Sequence, residues 1–143
     1  TEFSVQSVLG CIPETAALLD VRSGVRVGKR QLCELVGIRT DVLASQGLRH
    51  GDRVIVAEAD PLNYMVSILA CWAGGYVAVA VNPSISDYEQ QNVIDMTGAA
   101  HFCGDCRAVI APLPETATTE PSALHMDEPA LILMTSGTTG RPK

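Results

Sequence analysis

The sequence predicts an α/β fold with a layered, parallel-rich sheet flanked by helices, and three observations carry that prediction. Arg53-Val54-Ile55-Val56-Ala57 is a short apolar run of the kind that fills a sheet covered on both faces. Strand-like runs alternate along the chain with segments of helical periodicity, the pattern that crossover connections impose on parallel sheets. The last strand, at 130–134, delivers a Ser/Thr/Gly-rich loop to the sheet edge, where ligands bind in such folds.

The elements follow in order. Residues 17–21 and 25–27 flank Arg22-Ser23-Gly24 and read as two short strands around a turn. From 31 to about 46, Leu32, Leu35, Val36 and Leu43 recur at helical spacing, and Gly47 supplies a left-handed stop. Gly51-Asp52 then turns into the strand at 53–57. Asp60 can accept from unpaired first-turn amides and Pro61 suits the first helical position, so a buried helix is expected over 61–73. After a strand at 76–81, Asn82-Pro83 makes a turn. Ser86 and Glu89 have capping-box spacing for a helix to about Thr97, closed by Gly98. Residues 101–103 and 108–111 read as further strands, and 112–121, rich in Pro and Thr, as a surface connector.

Composition narrows the classes. With 143 residues, 47% hydrophobic and 18% charged, the chain fits one globular unit with a real core. A formal net charge of -6 gives no electrostatic reason to expect nucleic acid or an anionic membrane as partner. Cys11, Cys33, Cys71, Cys103 and Cys106 are odd in number and scattered, which points to a reducing, cytoplasmic compartment and not to a disulfide framework. No secretory signal pattern opens the sequence. Residues 64–81 carry no charge and reach the length of a candidate membrane span. Gly74-Gly75 interrupts that run and a β-branched alternation follows, so helix, turn and strand account for it and no span is expected.

The chemistry concentrates in Thr135-Ser136-Gly137-Thr138-Thr139-Gly140-Arg141-Pro142-Lys143. Gly137 and Gly140 let the backbone approach an anion without a Cβ in the way, so that successive amides converge on phosphate oxygens. Ser136, Thr138 and Thr139 add hydroxyl donors, and Lys143 with Arg141 offers positive charge to the β- and γ-phosphates. The Walker spacing is absent. By composition alone, a solvated turn explains such a loop equally well.

The whole stretch from Leu131 to Lys143 closely resembles the signature phosphate loop of the adenylate-forming superfamily, which includes acyl- and aryl-CoA synthetases, peptide-synthetase adenylation domains and luciferases. Upstream, Gly47-Leu48-Arg49-His50-Gly51-Asp52-Arg53-Val54 is similar to the family's Gly-Asp-Arg-Val strand entry. Trp72-Ala73-Gly74-Gly75-Tyr76-Val77-Ala78-Val79 with Asn82-Pro83 is similar to its helix-glycine-strand-Asn-Pro segment. Together these cover roughly residues 28 to 143 in the family's order. Gly28-Lys29-Arg30-Gln31-Leu32 departs from the Thr-Tyr pair with which the family often opens its helix.

The resemblance implies that residues 1–143 are part of an amino-terminal domain, an incomplete subdomain of an ATP-dependent ligase. A carboxylic acid attacks the α-phosphate of ATP, pyrophosphate leaves, and a thiol takes the acyl group. Thr135, Ser136, Gly137, Thr138, Thr139, Gly140 and Lys143 are the implied phosphate-holding residues, with Lys143 also the implied catalytic contributor. Mg²⁺ is implied with the nucleotide, although no residue of this stretch offers itself as its ligand. The Thr-Glu pair, the ribose-binding aspartate, the acid pocket and the catalytic lysine of the family's carboxy-terminal domain are not in these residues, so the remainder of a parent enzyme is an expected partner. Asn82-Pro83 and the Ser-Gly-Thr-Thr-Gly form favour coenzyme A over a carrier-protein thiol. The rivals are a peptide-synthetase adenylation domain and a truncated, non-catalytic interaction module docking through an open sheet edge.

Other candidates have plainer readings. Cys103-Gly104-Asp105-Cys106 has zinc-ligand spacing but lacks a second pair, so no metal site is expected. His50 and His125 read as surface histidines without a catalytic constellation. Met65, Ile68, Leu69 and Trp72 read as core packing, and Asp127-Glu128 as a solvated approach to the last strand.

Overall fold

The computed structural model describes residues 4–104 and 127–134. Within them the order is α1 (Val5–Gly10), β1 (Ala17–Leu19), β2 (Arg26–Gly28), α2 (Lys29–Ala44), β3 (Arg53–Ala57), α3 (Pro61–Ala73), β4 (Val77–Ala80), α4 (Asp87–Thr97), β5 (His101–Gly104) and β6 (Leu131–Leu133). β1 and β2 pair antiparallel, with Ala17 opposite Gly28. The other four strands form a parallel sheet in the order β5-β3-β4-β6. The α/β layering expected from the sequence is the one observed.

Local chemistry explains the best-defined boundaries. Asp60 accepts from the Asn63 amide at 2.8 Å, and Pro61 fills the first helical position, where no amide partner is needed. At α4 the Ser86 hydroxyl accepts from the Glu89 amide while the Glu89 carboxylate accepts from the Ser86 amide at 2.8 Å. The Ser86 amide, and after it the Ser86 hydroxyl, which donates to the same carboxylate at 2.9 Å, hold the Glu89 carboxyl below the usual glutamate range, because both favour its charged form. Gly98 closes the helix at φ 69°, a left-handed conformation that a side chain enters at a cost.

Several expectations need correction. α2 begins at Lys29 on a Gly28 cap without a side-chain hydrogen bond, two residues ahead of the expected start. Met65 is exposed at 41%, so it does not belong to the core. Helix α1 went unforeseen. Its capping box is built from Ser4 and Ser7, without the Glu or Gln that would have announced it. The expected strand at 108–111 and connector at 112–121 lie outside the described residues.

The sheet is covered on both faces. Val54, Val56, Ala78 and Cys103 face α1, α2 and α3, whose Leu9, Leu32, Val36, Leu43, Val66 and Ala70 are buried with them. Ile55 and Val79 face the other way, onto Val93 of α4 and Ala99. That alternation is the period of two that strands impose. Each such fully buried Val, Leu or Ile contributes about 1.5–3 kcal/mol relative to exposure. Between α3 and β4 the chain turns tightly enough that a Cβ on Gly74 would stand 2.2 Å from the Tyr76 ring. Gly74-Gly75 therefore ends the apolar run of α3 and starts a strand; among the described residues no helix is long and apolar enough to cross a membrane.

The topology locates the functional edge. β3 connects through α3 to β4 on one side, whereas β4 connects through α4 back across β3 to β5. Because α3 and α4 lie on opposite faces, the connections diverge between β3 and β4. Ligand crevices of open α/β sheets form outside the carboxyl ends of the strands at such a divergence.

Candidate functional site

Four segments leave the sheet at its carboxyl edge: Glu58 after β3, Val81-Asn82 after β4, the Gly104 end of β5, and Met134 after β6. The Asn82 side-chain oxygen accepts from the Ser84 amide at 2.9 Å. This Asx turn redirects the chain at Pro83, which has no amide to offer. β6 runs parallel to β4, with Ala78 opposite Leu131 and Ala80 opposite Leu133, and so delivers Met134 to this edge. Thr135, Ser136, Gly137, Thr138, Thr139, Gly140 and Lys143 themselves lie outside the described residues.

Behind the edge lies a polar cluster that sequence reasoning missed. Arg39 of α2 donates from Nη1 to Glu58 Oε1 at 2.5 Å and to Ser67 Oγ at 2.6 Å. The Ser67 hydroxyl donates in turn to Glu58 Oε1 at 2.9 Å. The Glu58 side chain is only 4% exposed and that of Arg39 22%. A carboxylate that deep demands a paired, hydrogen-bonded cation. The available signal was a charged residue directly after the apolar run 54–57, but the partners are 19 and 9 positions away and only the fold unites them.

The thiols nearby are quiet. Burial, and secondarily Cys103, pushes the Cys71 thiol far up. Burial also raises Cys103, against hydrogen bonding from Ser67 and the Arg39 charge. Both therefore stay protonated and poorly nucleophilic, whereas Cys11 and Cys33 are exposed. Cys106 lies outside the described residues. Among those described, no group of three or more His, Cys, Asp or Glu side chains could hold a metal ion.

At the opposite, amino edge the expectations for His50 and Glu128 are refined. His50 Nε2 lies 2.6 Å from Glu128 Oε2, both side chains being half-exposed. His125 is outside the described residues. Of the α3 stripe, Ile68 is buried, Leu69 and Trp72 pack partly buried against the core, and the Trp72 indole donates to the Ala130 carbonyl at 2.8 Å.

No family model matches the chain. It is 27% identical over 154 residues to a 4-chlorobenzoate–CoA ligase of Arthrobacter sp, covering 92% of the chain and 30% of that protein. It is 31% identical over 117 residues to the 2-succinylbenzoate–CoA ligase of Bacillus licheniformis, covering 71% and 24%. A Pseudomonas savastanoi pv. glycinea L-allo-isoleucine:holo-[CmaA peptidyl-carrier protein] ligase is 26% identical, covering 93% and 26%. The chain thus spans less than a third of the length of these curated relatives.

Among solved structures, the Klebsiella oxytoca NpsA N-terminal subdomain in complex with 3-hydroxybenzoyl-AMSN superposes with a TM-score of 0.81 at 26% identity, covering 97% of this chain and 38% of the other. The O-succinylbenzoate coenzyme A synthetase of Bacillus subtilis, in complex with AMP, shares the fold with a TM-score of 0.80 at 23% identity, covering 100% and 42%.

Proposed function

Because this chain belongs to the adenylate-forming superfamily and corresponds to an amino-terminal portion of its enzymes, we propose that the full-length protein activates a carboxylic acid with ATP and passes the acyl group to a thiol. The observation that supports this reading is β6, which runs parallel to β4 and ends at the sheet's carboxyl edge directly before the residues that resemble the family's phosphate loop in sequence. Residues 1–143 form part of the amino-terminal domain, with 112–121 as connector and 135–143 as phosphate loop.

In this mechanism the acid's carboxylate oxygen attacks the α-phosphorus, the bond to the bridging oxygen breaks, and pyrophosphate carries the electron pair away. The donor set of the loop suits the leaving group. Amides around Gly137 and Gly140 with the hydroxyls of Thr135, Ser136, Thr138 and Thr139 hold the β- and γ-phosphates. Lys143 neutralises charge that grows on the departing pyrophosphate. Mg²⁺ would supply further neutralisation of the triphosphate, through ligands outside the described residues.

Coenzyme A is the favoured acceptor, on the form of the motif and the similarity to two CoA ligases. The carrier-protein ligase supports the second reading, a thiol on a carrier domain. The odd number and scatter of the cysteines along the sequence support a cytoplasmic setting. The test is acid-dependent exchange of radiolabelled pyrophosphate into ATP by the full-length protein across aryl, fatty and amino acids. Exchange above the no-acid blank with one acid class is expected, followed by a thioester with coenzyme A. No exchange with any acid, under conditions where the protein is folded, contradicts the proposal.

A further inference from the structure

Hydrophobic patterning cannot set the register of β6. Leu131, Ile132, Leu133 and Met134 are apolar at every position, so a one-residue slip would exchange one apolar set for another on the sheet face. In the observed register Ile132 and Met134 pack onto the Ile55–Val79 core, while Leu131 and Leu133 stand 40% and 63% exposed. Burial discriminates weakly between the two arrangements.

Polar contacts at the amino end of the strand supply the missing information. The Ala130 carbonyl accepts two donors, the Ala78 amide at 3.0 Å and the Trp72 indole at 2.8 Å. Two residues earlier Glu128 meets His50 at 2.6 Å. Both contacts stand on fixed ground. Trp72 lies in the last turn of α3 against the core. The turn bearing His50 is tied down by the Gly51 amide donating to the Gly75 carbonyl at 2.8 Å and the Arg49 amide donating to Asp52 Oδ2 at 2.7 Å.

A slip of one residue moves a strand by about 3.3 Å, beyond the distance range over which a hydrogen bond survives. It would also part Glu128 from His50 and Ala130 from Trp72 together. We propose that Trp72 and the His50–Glu128 pair are positioning residues for nucleotide binding: they lock in register β6, the strand that leads into the proposed phosphate-binding residues. The inference rests on the adenylation reading above.

The experiment uses the full-length enzyme and three variants: Trp72→Phe, which keeps a ring but removes the N–H; Trp72→Phe with His50→Ala; and Trp72→Phe with His50→Gln, whose amide can donate to Glu128 again. Amide hydrogen exchange is read at 131–133, with 54–56 of β3 as the internal reference, and KM is measured separately for ATP and acid. The Phe/Ala variant should exchange about tenfold faster in β6 with β3 unchanged. Its KM for ATP should rise about fivefold with KM for the acid unmoved, and the Phe/Gln variant should recover part of both. Unchanged β6 exchange overturns the lock. Faster exchange with an unchanged KM for ATP, or equal rises for ATP and acid, overturns the positioning role. If the parent shows no acid-dependent pyrophosphate exchange, the adenylation reading falls and the phosphate role with it, while the amide arm still reports separately on the lock.

Discussion

Replacing Lys143 by alanine in the full-length enzyme is expected to slow adenylate formation by about 10²- to 10³-fold, with far less effect on binding of the acid. The reason is differential. Negative charge moves onto pyrophosphate as it departs, so a cation aimed at the β- and γ-phosphates interacts more strongly with the transition state than with bound ATP. Loss of one such donor typically costs about 2–4 kcal/mol of barrier stabilisation. Gly137→Val is expected to be at least as harmful although it removes no charge, because a branched side chain denies the backbone its close approach to the phosphates. Single-turnover adenylate formation at saturating ATP and acid checks both. Folded variants that both keep parental rates would return residues 135–143 to an ordinary solvated turn.

The second large effect concerns stability. Arg39→Leu should lower the unfolding free energy by about 3 kcal/mol or more, since it removes the cation that neutralises the Glu58 carboxylate, 4% exposed, and among the described residues leaves it the Ser67 hydroxyl. Arg39→Leu with Glu58→Leu should be less destabilised than the single change, because an apolar pair leaves no buried charge behind. Denaturant unfolding of the parent, both single variants and the double variant gives the coupling directly. A double variant whose loss equals the sum of the singles would show that the two side chains do not depend on each other. The pair is placed to matter, since Glu58 follows β3 at the edge where the connections diverge.

What the sequence disclosed and what it concealed divide along range. Asp60 with Pro61, Ser86 with Glu89, and Gly98 each act within one helical turn, and α3 and α4 lie where those residues indicate. The alternation of Val54, Ile55, Val56 and Ala57 between two buried faces was legible as an unbroken apolar run. The start of α2 was not, since Gly28 caps it without a side chain and leaves no polar signal. Nor was the exposure of Met65, which sits at a position of α3 that the apolar pattern cannot distinguish from its buried neighbours. The Arg39–Glu58–Ser67 cluster and the His50–Glu128 pair, the latter 78 residues apart in the chain, exist only through tertiary arrangement. The phosphate-loop proposal for 135–143 rests on a pattern of donors and glycines in the sequence, and the fold adds to it the position of β6, the strand that precedes those residues.

The most direct test of the central proposal follows the oxygen atoms. If a carboxylate of the substrate attacks the α-phosphorus of ATP, acid carrying a heavy-oxygen label in its carboxyl group must leave one labelled oxygen in AMP after the thiol has taken the acyl group. Mass spectrometry of the nucleotide after turnover by the full-length enzyme is expected to find the label in AMP and none in pyrophosphate. Label in inorganic phosphate, with ADP as the nucleotide product, would mean attack at the γ-phosphorus and would contradict adenylate formation.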